Sequence, residues 1–403
     1  MLKLALRNLF RHRGRTVLTL SAIVFGVAGL ILGGGFVEDI FVQVREGTIH
    51  SQVGHFQIYA QGYAEGNRRN PYLHMIAQPK MIAGKIEGLP HVRQVLMRLE
   101  FAGLLNNGRT DAPIIGEGVE PDKEAALGSA VTVVAGRMLR DGDDYGLMVG
   151  EGLARALGLR AGSEATLLAS TPDGALNTVN LTVVGIMRTM SKEFDARAVR
   201  IALPTAQDLL LLDKVHKLVV QLDDTTATDQ VGRLLQGLLP VAHYEIKSWR
   251  ELADFYRKVV ELYKRQFGIL LFIVLVMVLA GVANSVNLSL YERVGECGTL
   301  MALGYRGRKI FALLMLENLA LAMLGSVIGV AVGLLLSWLI SLHGIPMPPP
   351  PNMNMKYLAK IRPRPGIVLL AFAAGALATI LAGIAPARRL SRLPVSAALR
   401  QNA

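Results

Sequence analysis

FGILLFIVLVMVLAGVANSVNLSL, residues 267–290, runs for 24 residues without a charged side chain. About 20 helical residues at 1.5 Å each cross a hydrocarbon core of about 30 Å, so this stretch can span a bilayer once. Three more uncharged apolar stretches, 16–37, 318–342 and 366–385, meet the same length requirement. Helices buried in a soluble protein would keep a polar face, and these have none. The spacing decides the architecture, because residues 38–266 separate the first stretch from the other three. The expected fold is an α-helical membrane domain of four transmembrane helices, with a large α+β extracytoplasmic domain inserted between helices 1 and 2.

The chain is basic, with 43 Lys and Arg against 31 Asp and Glu, yet the distribution excludes a nucleic-acid binder. Segments 1–15, 291–309 and 386–403 hold +11 of the formal +12. The positive-inside rule places these three segments, and so both termini, in the cytoplasm. Lys356, Lys360, Arg362 and Arg364 in the loop 343–365 run against the rule locally. The segment 38–266, which then lies outside, is nearly balanced, with 26 basic and 28 acidic residues. The first span is longer than a signal h-region and no small-residue cleavage site follows Gly33, Gly34, Gly35 and Phe36, so it reads as an uncleaved anchor. Cys297, the single cysteine, falls in the cytoplasmic loop, and the outer domain folds without disulfides.

Residues 2–11 set Leu2, Ala5, Leu6, Leu9 and Phe10 on one helical face and Lys3, Arg7 and Arg11 on another. This predicts an amphipathic cytoplasmic elbow over 1–15, ahead of transmembrane helix 1 at 16–37. Within 38–266, strands are expected at 54–59, 93–105, 113–119, 165–169, 178–186, 199–203 and 217–222, and helices at 152–158, 205–212 and 226–239. The turns at 106–108 and 141–144 divide the domain, consistent with two lobes. Ser248-Trp249-Arg250-Glu251 forms a capping box, after which no Pro occurs before residue 290. One rod-like helix of about 40 residues is therefore expected from Ser248 through the second span at 267–290. Ile40, Phe41 and Val44 continue a helical stripe beyond the first span, giving a second stalk.

Gly325, Gly329 and Gly333 repeat every four residues in the third span (within 310–342), and Ala371, Gly375, Thr379 and Gly383 do so in the fourth (366–385). Small residues at this spacing let backbones approach, so these two helices are expected to brace one another and leave the first and second to face a partner or substrate. Asn284, Ser285 and Asn287 are expected to bond to a neighbouring helix. Glu317 and Asn318 read as solvated at the interface, and Trp338 as an interfacial anchor.

No catalytic or metal-binding constellation emerges. His50 and His55 read as surface histidines rather than ligands. Asp141, Asp143 and Asp144 lack the other ligands of a calcium loop. Gly84-Lys85 is not followed by Ser or Thr, so no phosphate-binding loop is present and nucleotide hydrolysis must belong to another polypeptide. The cytoplasmic loop 291–309 is more specific. Glu292 and Glu296 stand one turn apart, with Leu300 and Leu303 continuing that side, as on a short helix that offers carboxylates and aliphatics to a partner.

At this loop the sequence resembles the permease subunits of MacB-like, mechanotransmission (type VII) ABC transporters, whose signature approximates Glu-Arg-x-x-Glu-Ile-Gly-x-Leu-Arg-Ala-Leu-Gly. Glu292, Arg293, Glu296, Gly298, Leu300, Ala302, Leu303 and Gly304 match, while Cys297 replaces the usual Ile and Met301 the usual Arg. The tail, with Pro394, Val395, Ala398, Leu399 and Arg400, is similar to the family's ending. So are Gly150-Glu151-x-Leu153-Ala154, Leu157-Gly158-Leu159, Gly162 and Val184-Gly185-Ile186, with Ser163 in place of the usual Asp. Asn8-Leu9-x-Arg11 and Gly54-His55-Phe56-Gln57-Ile58 most resemble lipoprotein-releasing, Lol-type permeases.

The resemblance implies a porter-and-sabre-like outer domain in a multi-pass protein of the bacterial inner membrane. It implies two permease copies, identical or not, working with two separate ATP-binding subunits that hold the ATP and Mg; this chain needs no cofactor and no nucleic acid. Coupling to the ATPase is expected at Glu292, Arg293, Glu296, Gly298, Leu300, Leu303 and Gly304. A substrate surface facing membrane lipid is expected at Phe25, Leu30, Phe36, Phe272, Val276 and Met277, with handover to a periplasmic carrier or adaptor. The implied function is extraction of a lipid-linked or hydrophobic substrate, foremost lipoprotein release. MacB-type efflux of small molecules or peptides, and a non-transporting regulator of a cell-wall hydrolase, are the alternatives.

Overall fold

The computed structural model describes residues 13–63, 72–127, 131–189, 191–292, 294–347 and 357–392. The elbow at 2–11, Arg293 and the tail from 393 lie outside these residues. The chain forms two compact units, one helical and one α/β. Its elements begin with α1 (Arg13–Thr48), a π-helical turn (Ile49–Val53), β1 (Phe56–Ala60), α2 (Pro79–Glu87), β2 (Val92–Asn106), β3 (Asp111–Val119), α3 (Pro121–Leu127), β4 (Thr132–Gly136) and β5 (Gly146–Gly150). Then come α4 (Glu151–Leu157), β6 (Glu164–Ser170), β7 (Leu176–Arg188), α5 (Lys192–Asp195), β8 (Ala198–Ala202), α6 (Leu203–Leu210), β9 (Lys217–Leu222), α7 (Thr228–Leu238), β10 (Tyr244–Ser248) and α8 (Trp249–Leu252). The chain continues through α9 (Asp254–Glu292), α10 (Val294–Ala302), α11 (Gly307–His343), the small pair β11 (Ile345–Met347) and β12 (Tyr357–Ala359), and α12 (Pro365–Ser391).

In the α/β unit, β10, β1, β9 and β2 lie side by side, with α2 joining β1 to β2 and α7 joining β9 to β10. This is a split βαβ arrangement. Between β2 and β9 the chain inserts a second lobe. The far half of β2 pairs β3, then β8, β5, β7 and β6 follow, and β6 returns to pair β2 through Gly103–Ala169 to Asn106–Thr166. Six strands therefore close on themselves, which removes their exposed edges. The 15-residue β2 belongs to both lobes, and one continuous core runs under them through Val95, Leu99, Leu105, Leu167, Val199, Leu218 and Leu235.

In the helical unit, α1, α9, α11 and α12 each hold a stretch long and apolar enough to cross a membrane. Ile23, Val27, Leu30 and Ile31 of α1 form the centre of the bundle, against Val278 and Val282 of α9 and Ala371, Ala378 and Ala382 of α12. α11 and α12 pack along one another as expected, while the glycines explain a second close approach, to α1. A Cβ on Gly325 would meet Ile23 at 2.9 Å, one on Gly329 would meet Val27 at 2.8 Å, and one on Gly333 would meet Ile31 at 3.0 Å. The stripe of α11 thus receives the β-branched side chains of α1 rather than α12. On α12, Gly375 faces Val27 and Gly383 faces Asn318. The first helix is accordingly embedded, and α9 is the helix most open to its surroundings, with 11% of its apolar window buried against 39% for α1.

The single rod expected from Ser248 is interrupted. The capping box at Ser248 and Glu251 is present, but Ala253 adopts φ −89°, ψ 62°, ending α8 before α9 begins at Asp254. The break buries Trp249 and Ala253 against Ile49; apolar docking outweighs continuity of the helix. α1 continues to Thr48, eleven residues past the expected end of the span.

Candidate functional site

The loop read as the partner contact folds as α10, a nine-residue helix between α9 and α11. Val294 and Cys297 turn inward onto Ile310 and Leu314 of α11 and Ala387 and Leu390 of α12. Position 297 is a packing position, so a thiol can stand where an aliphatic is usual. Gly298 is buried, Glu296 and Leu300 are half-buried, and Leu303 is 74% exposed. Glu292 is the last residue of α9.

The end of α10 accounts for the closing Leu-Gly of the motif. Gly304 N–H donates to Met301 O at 3.0 Å and Tyr305 N–H to Leu300 O at 3.1 Å, the paired bonds of a Schellman cap. Gly304 sits at φ +90°, which a side chain would strain. The cap fixes where Leu303 points, and Arg306 is the N-cap of α11.

Of the residues expected on a substrate surface, Phe25, Phe272, Val276 and Met277 are exposed apolar side chains and Phe36 is half-buried. Leu30 is 2% exposed and belongs to the bundle core, so it is withdrawn from that surface. Glu317 and Asn318 are also corrected. Both are buried, and Asn318 Nδ2 donates to Thr379 O at 2.7 Å, joining α11 to α12. Asn284, expected to bond to another helix, is exposed. Trp338 is exposed as well.

The segment leading into α12 straps α1 at Gly35, Glu38 and Asp39. Arg362 N–H donates to Gly35 O at 3.0 Å, and Ile361 exchanges two hydrogen bonds with Ser341 Oγ at 3.0 and 3.1 Å. Arg362 pairs with Asp39 and Arg364 with Glu38, each at 2.7 Å. A Cβ on Gly35 would meet Ile361 at 2.6 Å, so the strap lies directly on the helix backbone.

In the α/β unit, the Gly-Glu-x-Leu-Ala motif is architectural. Glu151 accepts from Arg188 at 2.7 and 2.9 Å, Leu153 and Ala154 are buried, and Gly150 and Gly152 lie against the backbone of α5 and its following turn. Gly158 caps α4 at φ +65°. Ser163 Oγ accepts from Arg160 N–H at 3.0 Å, a bond that a carboxylate at this position would also accept. Asp143, read as a solvated turn residue, instead accepts from Arg137 and from Arg140 N–H, and the Arg137 bond leads in holding its carboxyl down at about 2.

His55 is the clearest departure from the surface reading. It is buried, Leu222 N–H donates to its Nδ1 at 3.1 Å, and Nε2 lies 3.1 Å from Thr225 Oγ1. Burial, with His50 nearby, pushes its pKa down to about 4, so the ring is neutral and Nε2 holds the proton.

Sequence reasoning missed an ionic cluster where the two lobes share β2. Arg98 bonds Glu124 bidentately at 2.6 and 3.2 Å, and Arg200 Nε donates to Glu117 at 2.8 Å while its Nη1 lies 3.1 Å from Glu124. Lys217 pairs with Glu100, which also accepts from Tyr63 at 3.0 Å. Arg98 and Arg200 are essentially inaccessible. Burial would raise the Glu117 carboxyl, but Arg200 and Arg98 outweigh it and hold it at about 2. The available signal was a charged residue at 98, 117, 200 and 217 within strands rich in aliphatic residues.

Residues 16–238 match the family model described as the MacB-like periplasmic core domain, and residues 268–395 match the FtsX-like permease C-terminal region. The transmembrane protein LolC of the lipoprotein-releasing system of Neisseria meningitidis serogroup B is 23% identical over 80% of this chain and 77% of its own. The macrolide export ATP-binding/permease protein MacB of Acinetobacter baylyi is 22% identical over 99% of this chain, which spans 59% of that relative's length. The periplasmic region of MacB from Actinobacillus actinomycetemcomitans overlays 52% of this chain and 94% of its own, at 15% identity and a TM-score of 0.37. With its inserted α/β domain and four apolar helices, the chain belongs to the MacB-like periplasmic core family and is a multi-pass permease of the LolC/MacB type.

Proposed function

We propose that the chain is the permease subunit of an ABC transporter in the bacterial inner membrane, that it extracts lipid-linked polypeptides, and that its foremost activity is lipoprotein release. A separate ATP-binding subunit docks on α10 beside Leu303, two permease copies and two ATP-binding subunits form the transporter, and the α/β unit works outside the membrane. ATP and Mg are bound by the partner. The observation that carries the reading is the aromatic and aliphatic face of α9 with Phe25, which gives withdrawn acyl chains an apolar surface. Each methylene taken from lipid into water costs about 0.8 kcal/mol, so an acylated substrate needs such a surface as well as ATP. The LolC relative, matched over most of its length, supports lipoprotein release in particular.

The test is reconstitution of the permease with its ATP-binding subunit in liposomes holding a triacylated lipoprotein. ATP-dependent transfer of the lipoprotein to a soluble acceptor is the expected result. Macrolide movement without lipoprotein transfer would support the MacB-type reading instead, and activation of a cell-wall hydrolase without any transport would support the regulator.

A further inference from the structure

Next to the strap, α11 and α12 flank an open lateral groove of about 510 Å³ lined by apolar side chains. Val327 and Leu334 mark its length on α11, about 10 Å at the helical rise, Val368 and Phe372 form the α12 wall, and Pro363 and Pro365 close one end with rigid rings. Lys360, Arg362 and Arg364 lie within three residues of Pro363 along the chain, and with Glu38 and Asp39 paired to the two arginines they leave one net positive charge. Arg362 and Arg364 keep 49% and 59% of their side chains exposed while paired with Asp39 and Glu38. An apolar slot inside the membrane spans thus ends at a cationic rim.

We propose that this groove seats one acyl chain of an anionic phospholipid of the surrounding bilayer, whose phosphate meets the rim at Lys360 and Arg364. Lipid tails are as apolar as leucine, so the groove alone cannot select one lipid from another. Selection comes from the headgroup, since arginine bonds phosphate with a charge-assisted geometry and a basic group at the surface favours anionic lipid. Binding is therefore selective for headgroup charge, indifferent to acyl identity and weakened by salt.

The test uses the full chain with Phe372→Trp as reporter in a Trp249→Phe, Trp338→Phe background, titrated in mixed micelles with brominated phosphatidylglycerol or brominated phosphatidylcholine. Half-quenching is expected at about fivefold lower mole fraction for phosphatidylglycerol, the effect of one net charge. Lys360→Gln with Arg364→Gln should abolish the preference, while Arg364→Lys should retain it. A second reporter, Phe272→Trp on the exposed face of α9, should show no preference. Equal quenching by the two lipids at Phe372→Trp would overturn the proposal, as would an equal preference at Phe272→Trp. Displacement of quenching by an acylated peptide but not by unbrominated phosphatidylglycerol would assign the groove to substrate instead.

Discussion

Asp39 Oδ1 lies 2.7 Å from Arg362 Nε, and Lys360 N–H donates to Asp39 Oδ2 at 2.9 Å, so a wholly buried carboxylate ties α1 to the segment entering α12. With Glu38 and Arg364, this pair accounts for two of the four cations that run against the positive-inside rule. They answer to carboxylates on the neighbouring helix.

The pair is asymmetric in burial, and the cost of breaking it depends on which side is removed. Arg362→Ala leaves a buried, uncompensated carboxylate, a change worth about 3–5 kcal/mol. Asp39→Asn leaves a half-exposed guanidinium that water can solvate, and loses a charge-assisted contact worth about 1.5–3 kcal/mol. Thermal unfolding of the solubilised protein should therefore give a lower midpoint for Arg362→Ala than for Asp39→Asn; the reverse order would contradict the buried pair.

The cluster around Glu117 sets a pH window. Its folded pKa, about 2, lies below the ordinary 4.5, so its contribution is full above 4.5 and is lost as pH falls from there towards 2. Glu117→Gln, which leaves the buried Arg98 and Arg200 to share the single carboxylate of Glu124, should destabilise the α/β unit by about 3–5 kcal/mol at pH 7. The gap from wild type should narrow below pH 4.5. Urea unfolding followed through Trp249 in a Trp338→Phe background checks both, and a gap independent of pH would refute the assignment.

The membrane helices were legible because length and the absence of charge suffice to define them. Most strands of the α/β unit were also legible, since β2, β3, β6, β7 and β9 are runs rich in aliphatic or β-branched residues between turn residues. β5 was not, because Gly146–Gly150 is short, wholly buried and flanked by glycine. β4 and β10 escaped as an exposed edge and a charged edge, and α2, begun by Pro79 at its first turn, left a cue that went unread. Partner choice was the harder matter. Lys217 and Glu100 are 117 residues apart, and only strand register brings them together. The glycine stripe of α11 announced close packing without saying which helix would fill it, and the kink at Ala253 depends on Ile49, some two hundred residues away.

Topology can be read by labelling, though not at Cys297, which is buried and would be spared on either side. In a Cys297→Ala background, Leu176→Cys on the α/β unit and Leu303→Cys after α10 are both exposed reporters. An impermeant maleimide applied to cells with a permeabilised outer membrane should mark the first and spare the second. Labelling of Leu303→Cys alone would reverse the orientation.

Leu303 also reports docking. Placing a charge on this exposed leucine, as in Leu303→Asp, leaves the packed side of α10 untouched. The variant should insert normally yet lose co-purification with the ATP-binding subunit and its stimulated hydrolysis; undiminished co-purification would move the contact elsewhere.

In the proposed transporter, motion at α10 has to reach the α/β unit along α9, and Val259→Pro probes that requirement. Val259 lies in the first turns of α9, outside the stretch 267–290, where proline removes a backbone donor and clashes with the preceding turn at a local cost of about 3 kcal/mol. In liposomes holding the permease and its ATP-binding subunit, hydrolysis and lipoprotein release would be measured together. Hydrolysis near the wild-type rate with release lost is the expected result; release at the wild-type rate in Val259→Pro would rule out transmission through α9.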